Sequence, residues 1–225
     1  MINTEEFYDE ISSKYTESIK KCVPRYEEML SCLFRYLPEF KPNIRILELG
    51  CGTGNLTELI ICQYPSAEIT AVDISSEIIE VCRERLADKK IDFHKNDFAK
   101  LSYPQASFDL VISSIAIHHL KDPEKKNLFS NIFRWLGSGG VFSFSDQFRG
   151  KTNELYQKHI EVWKEFAFQS DTSEQEWGIW LEHQRLHDYH APLEDQMQWL
   201  RECGFPIVDC TWRYSLWATL YACKF

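Results

Sequence analysis

Three glycines at alternate positions, Gly50, Gly52 and Gly54, constrain the fold of this chain more than any other feature. They follow the apolar run 44–49 and precede a helical pattern that begins at about Asn55. Glycine lets the backbone turn sharply and removes side chains, so that a ligand can lie against the main chain. Such a turn between a strand and a helix predicts an open α/β sheet with a ligand site beyond the end of its first strand.

The spacing of the glycines also bears on the kind of ligand. A dinucleotide site requires the third glycine one place later, where this chain has Asn55. An NAD-dependent oxidoreductase is therefore disfavoured. Glu48 precedes the first glycine, and its negative charge suits a ligand with sulfonium and ammonium groups better than one with phosphates.

Strand and helix patterns alternate along the chain up to about residue 146. The predicted strands are 44–49, 69–72, 91–94, 108–115, 141–145, 206–214 and 216–223. The predicted helices are 4–37, with a break near Pro24, and 55–64, 75–86 and 124–136. Because strands that alternate with helices form parallel sheets with right-handed crossovers, the pattern predicts an α/β fold.

We expect one domain made of four consecutive segments. They are an N-terminal helical cap (1–42), a ligand-binding core (43–149), a helical insertion or lid (150–203) and a closing β-hairpin (204–225). The insertion is polar and carries four tryptophans, Trp163, Trp177, Trp180 and Trp199. Together with aromatic residues of the cap, they either form an apolar roof over the ligand pocket or pack as a second core.

Two further acidic residues follow predicted strands. Asp73 ends the second strand, where a carboxylate can accept both ribose hydroxyls of a nucleoside. Asp97 follows the third strand, where it can accept the adenine amino group, and Phe98 beside it can flank the ring. Since the carboxyl ends of parallel strands meet at one edge of a sheet, these residues point to a nucleoside-containing ligand.

At these residues the sequence resembles the class I S-adenosylmethionine (SAM)-dependent methyltransferases. The match runs over residues 44–146 and includes ELGCGTG, the aspartate of AVDIS, the tripeptide NDF and the run FDLVISSIAIHHL, in the family's order and spacing. The resemblance implies a seven-stranded Rossmann-like sheet of order 3-2-1-4-5-7-6 with strand 7 antiparallel, SAM as cofactor and S-adenosylhomocysteine (SAH) as product. The cofactor-binding residues implied are Glu48, Gly50, Cys51, Gly52, Gly54, Asp73, Ile74, Asn96, Asp97, Phe98, Ser113, Ser114 and Tyr15.

Candidate catalytic residues lie where the fourth and fifth predicted strands end. A base with a pKa near neutrality helps methyl transfer to a hydroxyl or a protonated amine. We therefore predict His119 and Asp146 as catalytic residues, with a purely structural role for each as the alternative. The predicted substrate contacts are Tyr8, His118, Gln147 and Trp180.

Three histidines of the insertion, His183, His187 and His190, would share one face of a helix, because their spacing is i, i+4 and i+7. Imidazoles on one face, beside Asp188, could bind zinc, iron or nickel. A polar helix face or a lid with scattered substrate contacts explains the same spacing, and no fourth ligand has a fixed position. The sequence alone therefore assigns no metal.

Charge and cysteine content limit the expected partners. The formal net charge is -9 and no run of Lys or Arg exceeds two residues, so nucleic acid and membrane surfaces are not expected partners. The eight cysteines form no CxxC pair and the N-terminus lacks a signal sequence, which predicts reduced thiols and a cytoplasmic protein. A homodimer is left open.

The expected function is methyl transfer from SAM to a small-molecule acceptor at an O, N or C atom. One alternative is a tRNA wobble-uridine-modifying enzyme of the same fold, against which the low basicity counts. The other is a non-catalytic SAM-binding protein, because intact glycines and acidic residues indicate only that the cofactor can bind.

Overall fold

The computed structural model describes residues 5, 6, 9 and 15–225. Residues 15–225 form eight α-helices and seven β-strands. The helices are α1 (Tyr15–Cys22), α2 (Tyr26–Arg35), α3 (Asn55–Gln63), α4 (Ser76–Arg85), α5 (Asp122–Trp135), α6 (Asn153–Gln169), α7 (Glu174–His187) and α8 (Leu193–Glu202). The strands are β1 (Arg45–Leu49), β2 (Glu68–Asp73), β3 (Ile91–Lys95), β4 (Phe108–Ser114), β5 (Leu136–Gln147), β6 (Ile207–Tyr214) and β7 (Trp217–Cys223). No helix of the described residues has the length and apolar character needed to cross a membrane.

The strands form one sheet of order β3-β2-β1-β4-β5-β7-β6, in which β7 runs antiparallel to β5 and β6. This confirms the strand order and orientation that the resemblance implied. Leu49 lies beside both Val72 and Ser113, so β1, β2 and β4 end at the same edge of the sheet. Ligands of open parallel sheets bind beyond this carboxyl edge.

Buried side chains alternate along the central strands and fill both faces of the sheet. On one face, Ile46 and Ile112 pack in a core that also holds residues of α1, α2, α3, α6 and α7. On the other face, Leu47 and Val111 pack with residues of α5 and α8. Because helices cover both faces, a site for a ligand is left at the strand ends.

The N-terminal helices pack against the first two helices of the predicted insertion. The Trp163 indole Nε1 donates a hydrogen bond to the Cys22 carbonyl oxygen over 2.7 Å. The Trp163 ring lies edge-on to Trp177, with 4.8 Å between the ring centroids. Both tryptophans are buried and join the core beside the sheet. These two tryptophans therefore pack the N-terminal helices on the insertion, within the core of this face of the sheet.

The last helix of the predicted insertion lies elsewhere. Leu200 of α8 is buried with residues of α5 on the opposite face of the sheet. Trp199 lies on the same helix, with Lys126 Nζ 4.8 Å from its ring centroid. Of the three helices between β5 and β6, α6 and α7 therefore share the side of the sheet on which α1 and α2 lie.

Candidate active site

A cavity of about 240 Å³ opens at the carboxyl edge of the sheet, beyond the ends of β1, β2, β3 and β4. Nine of the residues that line it are among the predicted site residues, namely Gly50, Gly52, Asp73, Ile74, Asn96, Asp97, Phe98, Ser114 and His119. Five others were not predicted, namely Ile78, Ile115, Ala116, Leu120 and Glu124. Ile115, Ala116 and Leu120 lie within the run FDLVISSIAIHHL, so the resemblance could have indicated them.

The glycine turn at this cavity requires glycine for two separate reasons. Gly50 has a φ of +77°, and a Cβ placed on it would lie 2.4 Å from Ala116 Cβ, a residue of the cavity wall. Gly54 has a φ of +88°, and a Cβ there would lie 2.8 Å from Cys82 Sγ. Gly50 therefore shapes the cavity, whereas Gly54 lets the start of α3 pack on α4.

Side chains from three helices hold this turn in place. The hydroxyls of Thr16, on α1, and Thr53 are hydrogen-bonded at 2.7 Å. Arg85 of α4 donates to the Thr53 carbonyl oxygen at 3.1 Å and to Asn55 Oδ1 at 2.6 Å. Asn55 in turn donates to the Tyr26 hydroxyl of α2 at 3.2 Å. The shape of the turn therefore depends on the N-terminal helices as well as on the sheet.

Asp73 and Asp97 reach the cavity with part of each carboxylate already bonded to main-chain amides. Asp73 accepts from the Gly52 N at 2.9 Å and from the Ser75 N at 3.2 Å. Burial raises the pKa of the Asp73 carboxyl, against the lowering effect of these hydrogen bonds. Asp97 accepts from the Ala99 N at 2.9 Å. Each carboxylate keeps lone pairs that a ligand can use.

Four predicted cofactor residues lie behind the cavity wall, namely Glu48, Cys51, Gly54 and Ser113. Glu48 accepts a hydrogen bond from Thr57 Oγ1 at 2.7 Å, and burial raises the pKa of its carboxyl well above 4.5. A cation bound beside the glycine turn would lower that pKa again. Ser113 Oγ donates to the Leu49 carbonyl oxygen at 2.7 Å and so ties β4 to β1. These side chains support the strand ends that carry the cavity.

Two predicted residues belong to the N-terminal cap. Tyr8 lies outside the described residues, and of Tyr15 only the backbone, at the start of α1, is described. The substrate contact of the first and the cofactor contact of the second stay predictions.

A second cavity, of about 20 Å³, adjoins the first at Ile115, which lines both. Ile115 has a φ of +55°, a left-handed conformation that is rare for a β-branched residue. Backbone strain of this kind concentrates at binding sites. Three of the predicted substrate residues, His118, Gln147 and Trp180, line the second cavity.

Asp188 lies at the centre of a histidine cluster beside the second cavity. Its Oδ1 is 3.2 Å from His119 Nδ1, 3.6 Å from His118 Nε2 and 3.7 Å from His183 Nε2. Its Oδ2 is 3.5 Å from His190 Nε2. The Asp188 side chain is only 3% exposed, so imidazole rings surround a carboxylate that is shielded from bulk water.

Asp146 orients one ring of this cluster. Its Oδ1 is 2.5 Å from His118 Nδ1, and its Oδ2 accepts a hydrogen bond from the His118 backbone N at 3.0 Å. Asp146 is buried and lines neither of the two cavities. The structure thus places Asp146 behind His118, while the other predicted catalytic residue, His119, lines the larger cavity.

Burial and neighbouring charges set the protonation of the cluster. Burial lowers the pKa of His118, but the carboxylates of Asp146 and Asp188 outweigh burial and raise that pKa above 6.5. Burial raises the pKa of Asp146, but the charge of His118 outweighs burial and holds that pKa below 3.8. Burial lowers the pKa of His119 and brings that of His183 to about 3. At neutral pH, His119 and His183 are therefore uncharged bases.

Lys125 of α5 links the two chain segments that form the cluster. Its buried ammonium donates hydrogen bonds to the Leu120 carbonyl oxygen, at 2.6 Å, and to the Tyr189 carbonyl oxygen. The Tyr189 N donates to the His118 carbonyl oxygen at 2.8 Å. No sequence pattern indicated this role, because the burial of Lys125 depends on a segment more than sixty residues away.

The prediction that His183, His187 and His190 share one face of a helix is wrong for His190. Helix α7 ends at His187, and Asp188 has an extended conformation with φ −104° and ψ 133°. The chain beyond the helix brings Asp188 and His190 back toward His183. The spacing of the histidines could not reveal this arrangement, because it depends on where the helix ends.

The fold and the site together define a class of protein. A seven-stranded sheet of this order, with a glycine turn after β1 and acidic residues after β2 and β3, is the architecture of the class I SAM-dependent methyltransferases. The cavity fits SAM, because it combines a glycine cradle with two carboxylates. In addition, Ser114 Oγ at the cavity has no hydrogen-bond partner among the described residues and is available to a ligand.

Comparison with known proteins agrees with this class. Residues 46–140 match the sequence model of the methyltransferase domain family. It is 20% identical to carboxy-S-adenosyl-L-methionine synthase of Campylobacter lari, over 97% of this chain and 94% of that protein. It is 34% identical to malonyl-acyl-carrier-protein O-methyltransferase of Bacillus anthracis, over 58% of this chain and 48% of that protein. The chain therefore matches about half the length of the second relative.

The solved structures include proteins of the same fold. Phosphoethanolamine N-methyltransferase 2 of Haemonchus contortus, in complex with SAM, superposes with a TM-score of 0.69 and 17% identity. The superposition covers 100% of this chain and 60% of that chain. At this identity the likeness bears on the fold alone. The family match establishes SAM as the cofactor of this chain.

Proposed function

We propose that this methyltransferase transfers the methyl group of SAM to a small-molecule acceptor at an O, N or C atom. SAM would occupy the larger cavity and the acceptor the smaller one. The observation that carries the proposal is the position of Ile115, which lines both cavities. Because the two spaces meet at this residue, a methyl group in the larger cavity would face toward the acceptor, as an in-line displacement requires.

The proposed cofactor contacts combine the family resemblance with the lining of the larger cavity. Asp73 would accept hydrogen bonds from the ribose hydroxyls, and Asp97 from the adenine amino group, with Phe98 against the ring. Ser114 would hydrogen-bond the methionine part of SAM. Glu48 and the other residues behind the wall would act through the shape of the glycine turn.

Methyl transfer needs few protein groups. An electron pair of the acceptor would form the bond to the methyl carbon while the electrons of the carbon–sulfur bond return to sulfur, which would yield SAH. An oxygen acceptor, or a protonated nitrogen, also gives up a proton. His119 lines the cofactor cavity and is uncharged because burial lowers its pKa, so it can take that proton. His118, held by Asp146, would orient the acceptor.

The enclosure of the second cavity supports a small acceptor. Its walls include Ile19 of α1, Trp163 of α6 and Trp180 of α7. A volume of about 20 Å³ holds about one water molecule, so the acceptor can enter only when these helices move. We therefore propose that residues 150–203 and the N-terminal helices act as a lid, which excludes water when it closes. The net charge of -9 counts against RNA as the acceptor.

Transfer of a radiolabelled methyl group tests this function. A cell extract is separated into metabolites, RNA and protein, and each fraction is incubated with the enzyme and methyl-labelled SAM. We expect label in the metabolite fraction and none in a parallel reaction with the Gly50→Ala variant, which should not bind SAM. Label confined to RNA would support the tRNA-modifying alternative. Bound SAM with no transfer to any fraction would support a non-catalytic SAM-binding protein.

A further inference from the structure

We propose that four side chains beside the second cavity bind one divalent transition-metal ion, Zn²⁺ or Fe²⁺. The ligand atoms would be His118 Nε2, His119 Nδ1, His183 Nε2 and Asp188 Oδ1. Imidazole nitrogens and a carboxylate oxygen are the ligands that both ions prefer. The site joins two chain segments that lie about sixty-five residues apart.

The distances from Asp188 to the three rings are close to those between the ligand atoms of a metal ion. A tetrahedral ion about 2.1 Å from each ligand keeps the ligand atoms about 3.4 Å apart. Asp188 Oδ1 lies 3.2 to 3.7 Å from the three ring nitrogens. The ligand atoms of His118, His119 and Asp188 all lie within 4.8 Å of one another. Two histidines and a carboxylate form a common catalytic ligand set, which His183 extends.

The remaining atoms of two ligands are held by other side chains. His118 Nδ1 is hydrogen-bonded to Asp146, which leaves Nε2 for the ion. Asp188 Oδ2 lies 3.5 Å from His190 Nε2, and His190 Nδ1 is hydrogen-bonded to the Tyr156 hydroxyl at 2.7 Å. Metal-binding histidines and carboxylates are oriented in this way in known metal sites. The cluster thus has the supporting contacts of a metal site as well as its ligands.

The central oxygen of the cluster also lacks a normal partner. Asp188 Oδ1 is buried and accepts no hydrogen bond of good geometry within the described part of the chain. A buried carboxylate oxygen in this state is costly. An ion between the four side chains would satisfy it. His119 Nδ1 also lies 3.4 Å from the His187 carbonyl oxygen, a long contact that a bond to the ion would replace.

The ion would lie between the two cavities. His119 lines the larger cavity, whereas His118, His183 and Asp188 line the smaller one. Beyond these four ligands, a fifth coordination position would hold an oxygen atom of the acceptor and lower its pKa, which narrows the acceptor to an oxygen-bearing small molecule. With His119 Nδ1 bound to the ion, the ion rather than a free His119 would assist the loss of the acceptor's proton. This narrowing rests on the proposed function, whereas the binding of the ion does not.

Titration with Co²⁺ tests the site directly. Purified protein is treated with a chelator, dialysed and titrated with Co²⁺ alone, while visible absorption and thermal unfolding are recorded. We expect one Co²⁺ per chain, visible bands of a nitrogen- and oxygen-ligated ion without a thiolate charge-transfer band, and a higher Tm. The absent thiolate band excludes the eight cysteines as ligands. The measurement needs neither SAM nor an acceptor, so its outcome is independent of the methyl-transfer assay.

Two variants locate the binding. Asp188→Asn should weaken Co²⁺ binding by roughly 100-fold or more, since loss of a supporting residue alone weakens metal sites roughly 10- to 100-fold. His183→Gln should also weaken binding, and it tests the site if Asp188→Asn fails to fold. The matched control is Asp92→Asn. Asp92 Oδ2 lies 2.8 Å from His94 Nε2 in an exposed pair, so this variant should bind Co²⁺ as the wild type does. No Co²⁺ binding by the wild type, or binding that the two cluster variants leave unchanged, would overturn the site.

Discussion

The two ends of the active site are built in different ways. At the cofactor end, the groups that face the cavity come from short segments directly after strands, and main-chain amides hold the carboxylates of Asp73 and Asp97. At the acceptor end, His118, Asp146 and Asp188 come from three distant segments, and their side chains hold one another. The cofactor end is therefore a property of the sheet, whereas the acceptor end depends on the helices that cover it.

The two ends also differ in how they bury charge. The cofactor end exposes its carboxylates to the cavity, where a ligand can reach them. The acceptor end encloses Asp146 and Asp188 beside imidazole rings, and the ammonium of Lys125 is buried nearby against main-chain carbonyl oxygens. Breaking one buried pair of this kind costs roughly 3–5 kcal/mol, because it leaves an uncompensated charge. Changes at the acceptor end must therefore be conservative if the chain is to stay folded, whereas the cofactor end can be tested by backbone changes.

The largest effect is expected from Gly50→Ala at the cofactor end. The new Cβ would lie 2.4 Å from Ala116 Cβ, on a backbone whose φ of +77° disfavours any side chain. The turn must therefore shift into the space that SAM needs. We expect calorimetry to detect no SAH binding, a loss of more than roughly 1,000-fold, or about 4 kcal/mol.

Gly139→Ala is the matched control for this substitution. Gly139 has a φ of +75°, and nothing lies within 4 Å of a Cβ placed on it. The variant should lose about 1 kcal/mol of stability from backbone strain and bind SAH as the wild type does. If Gly50→Ala binds SAH as well as this control does, the glycine turn is an ordinary connection and the cofactor lies elsewhere.

A smaller effect is expected from Asp73→Asn. Asparagine offers one oxygen where aspartate offers two, so the amides of Gly52 and Ser75 cannot both stay bonded while the ribose hydroxyls are accepted. A hydrogen bond to a charged group contributes roughly 1.5–3 kcal/mol, so SAH affinity should fall roughly 10- to 100-fold.

Asp109→Asn makes the same change at the opposite edge of the sheet. Asp109 accepts hydrogen bonds from the Arg45 backbone N at 2.9 Å and from its Nη2 at 2.7 Å. The Arg45 guanidinium lowers the pKa of this carboxyl. The variant should lower the Tm and leave SAH affinity unchanged. Equal losses of SAH affinity in the two variants would mean that Asp73 acts through stability and not through contact with the ribose.

The cofactor end was the more predictable of the two from sequence. The strands of a parallel sheet end at the same edge, so the sequence predicts that an aspartate after β2 and another after β3 lie close together. The glycine spacing identified the turn in the same way. The sequence could not distinguish residues that face the cavity, such as Gly50, from residues that pack behind it, such as Ser113. Both kinds of residue lie within the same short motifs.

The acceptor end could be predicted only in fragments. His118 and His119 were placed by the strand before them, and Asp188 was noted only as a neighbour of three histidines. Their meeting depends on where α7 ends and on how Lys125 holds the following segment against α5. Such contacts join residues far apart in the chain, and no local pattern records them. The strained backbone of Ile115 could not be predicted from the sequence either, because the surrounding packing sets the φ angle of this residue.

The smallest effect on cofactor affinity is expected from Trp180→Ala, which separates the two ends most sharply. Trp180 lines the second cavity and not the first. The substitution should leave SAH affinity within about twofold of the wild type. Turnover, measured with the acceptor that the label-transfer experiment identifies, should fall roughly tenfold, or about 1.4 kcal/mol. The reason is that a looser lid holds the acceptor less well in line with the methyl group. Trp199→Ala removes a tryptophan of α8 from the other side of the sheet and should leave turnover unchanged.

If α6 and α7 form a lid, hydrogen exchange in both helices, and in α1 and α2, should slow when SAH binds to the wild-type protein. Unchanged exchange together with normal turnover of Trp180→Ala would mean that these helices are only a second core, and that the acceptor end does not depend on them.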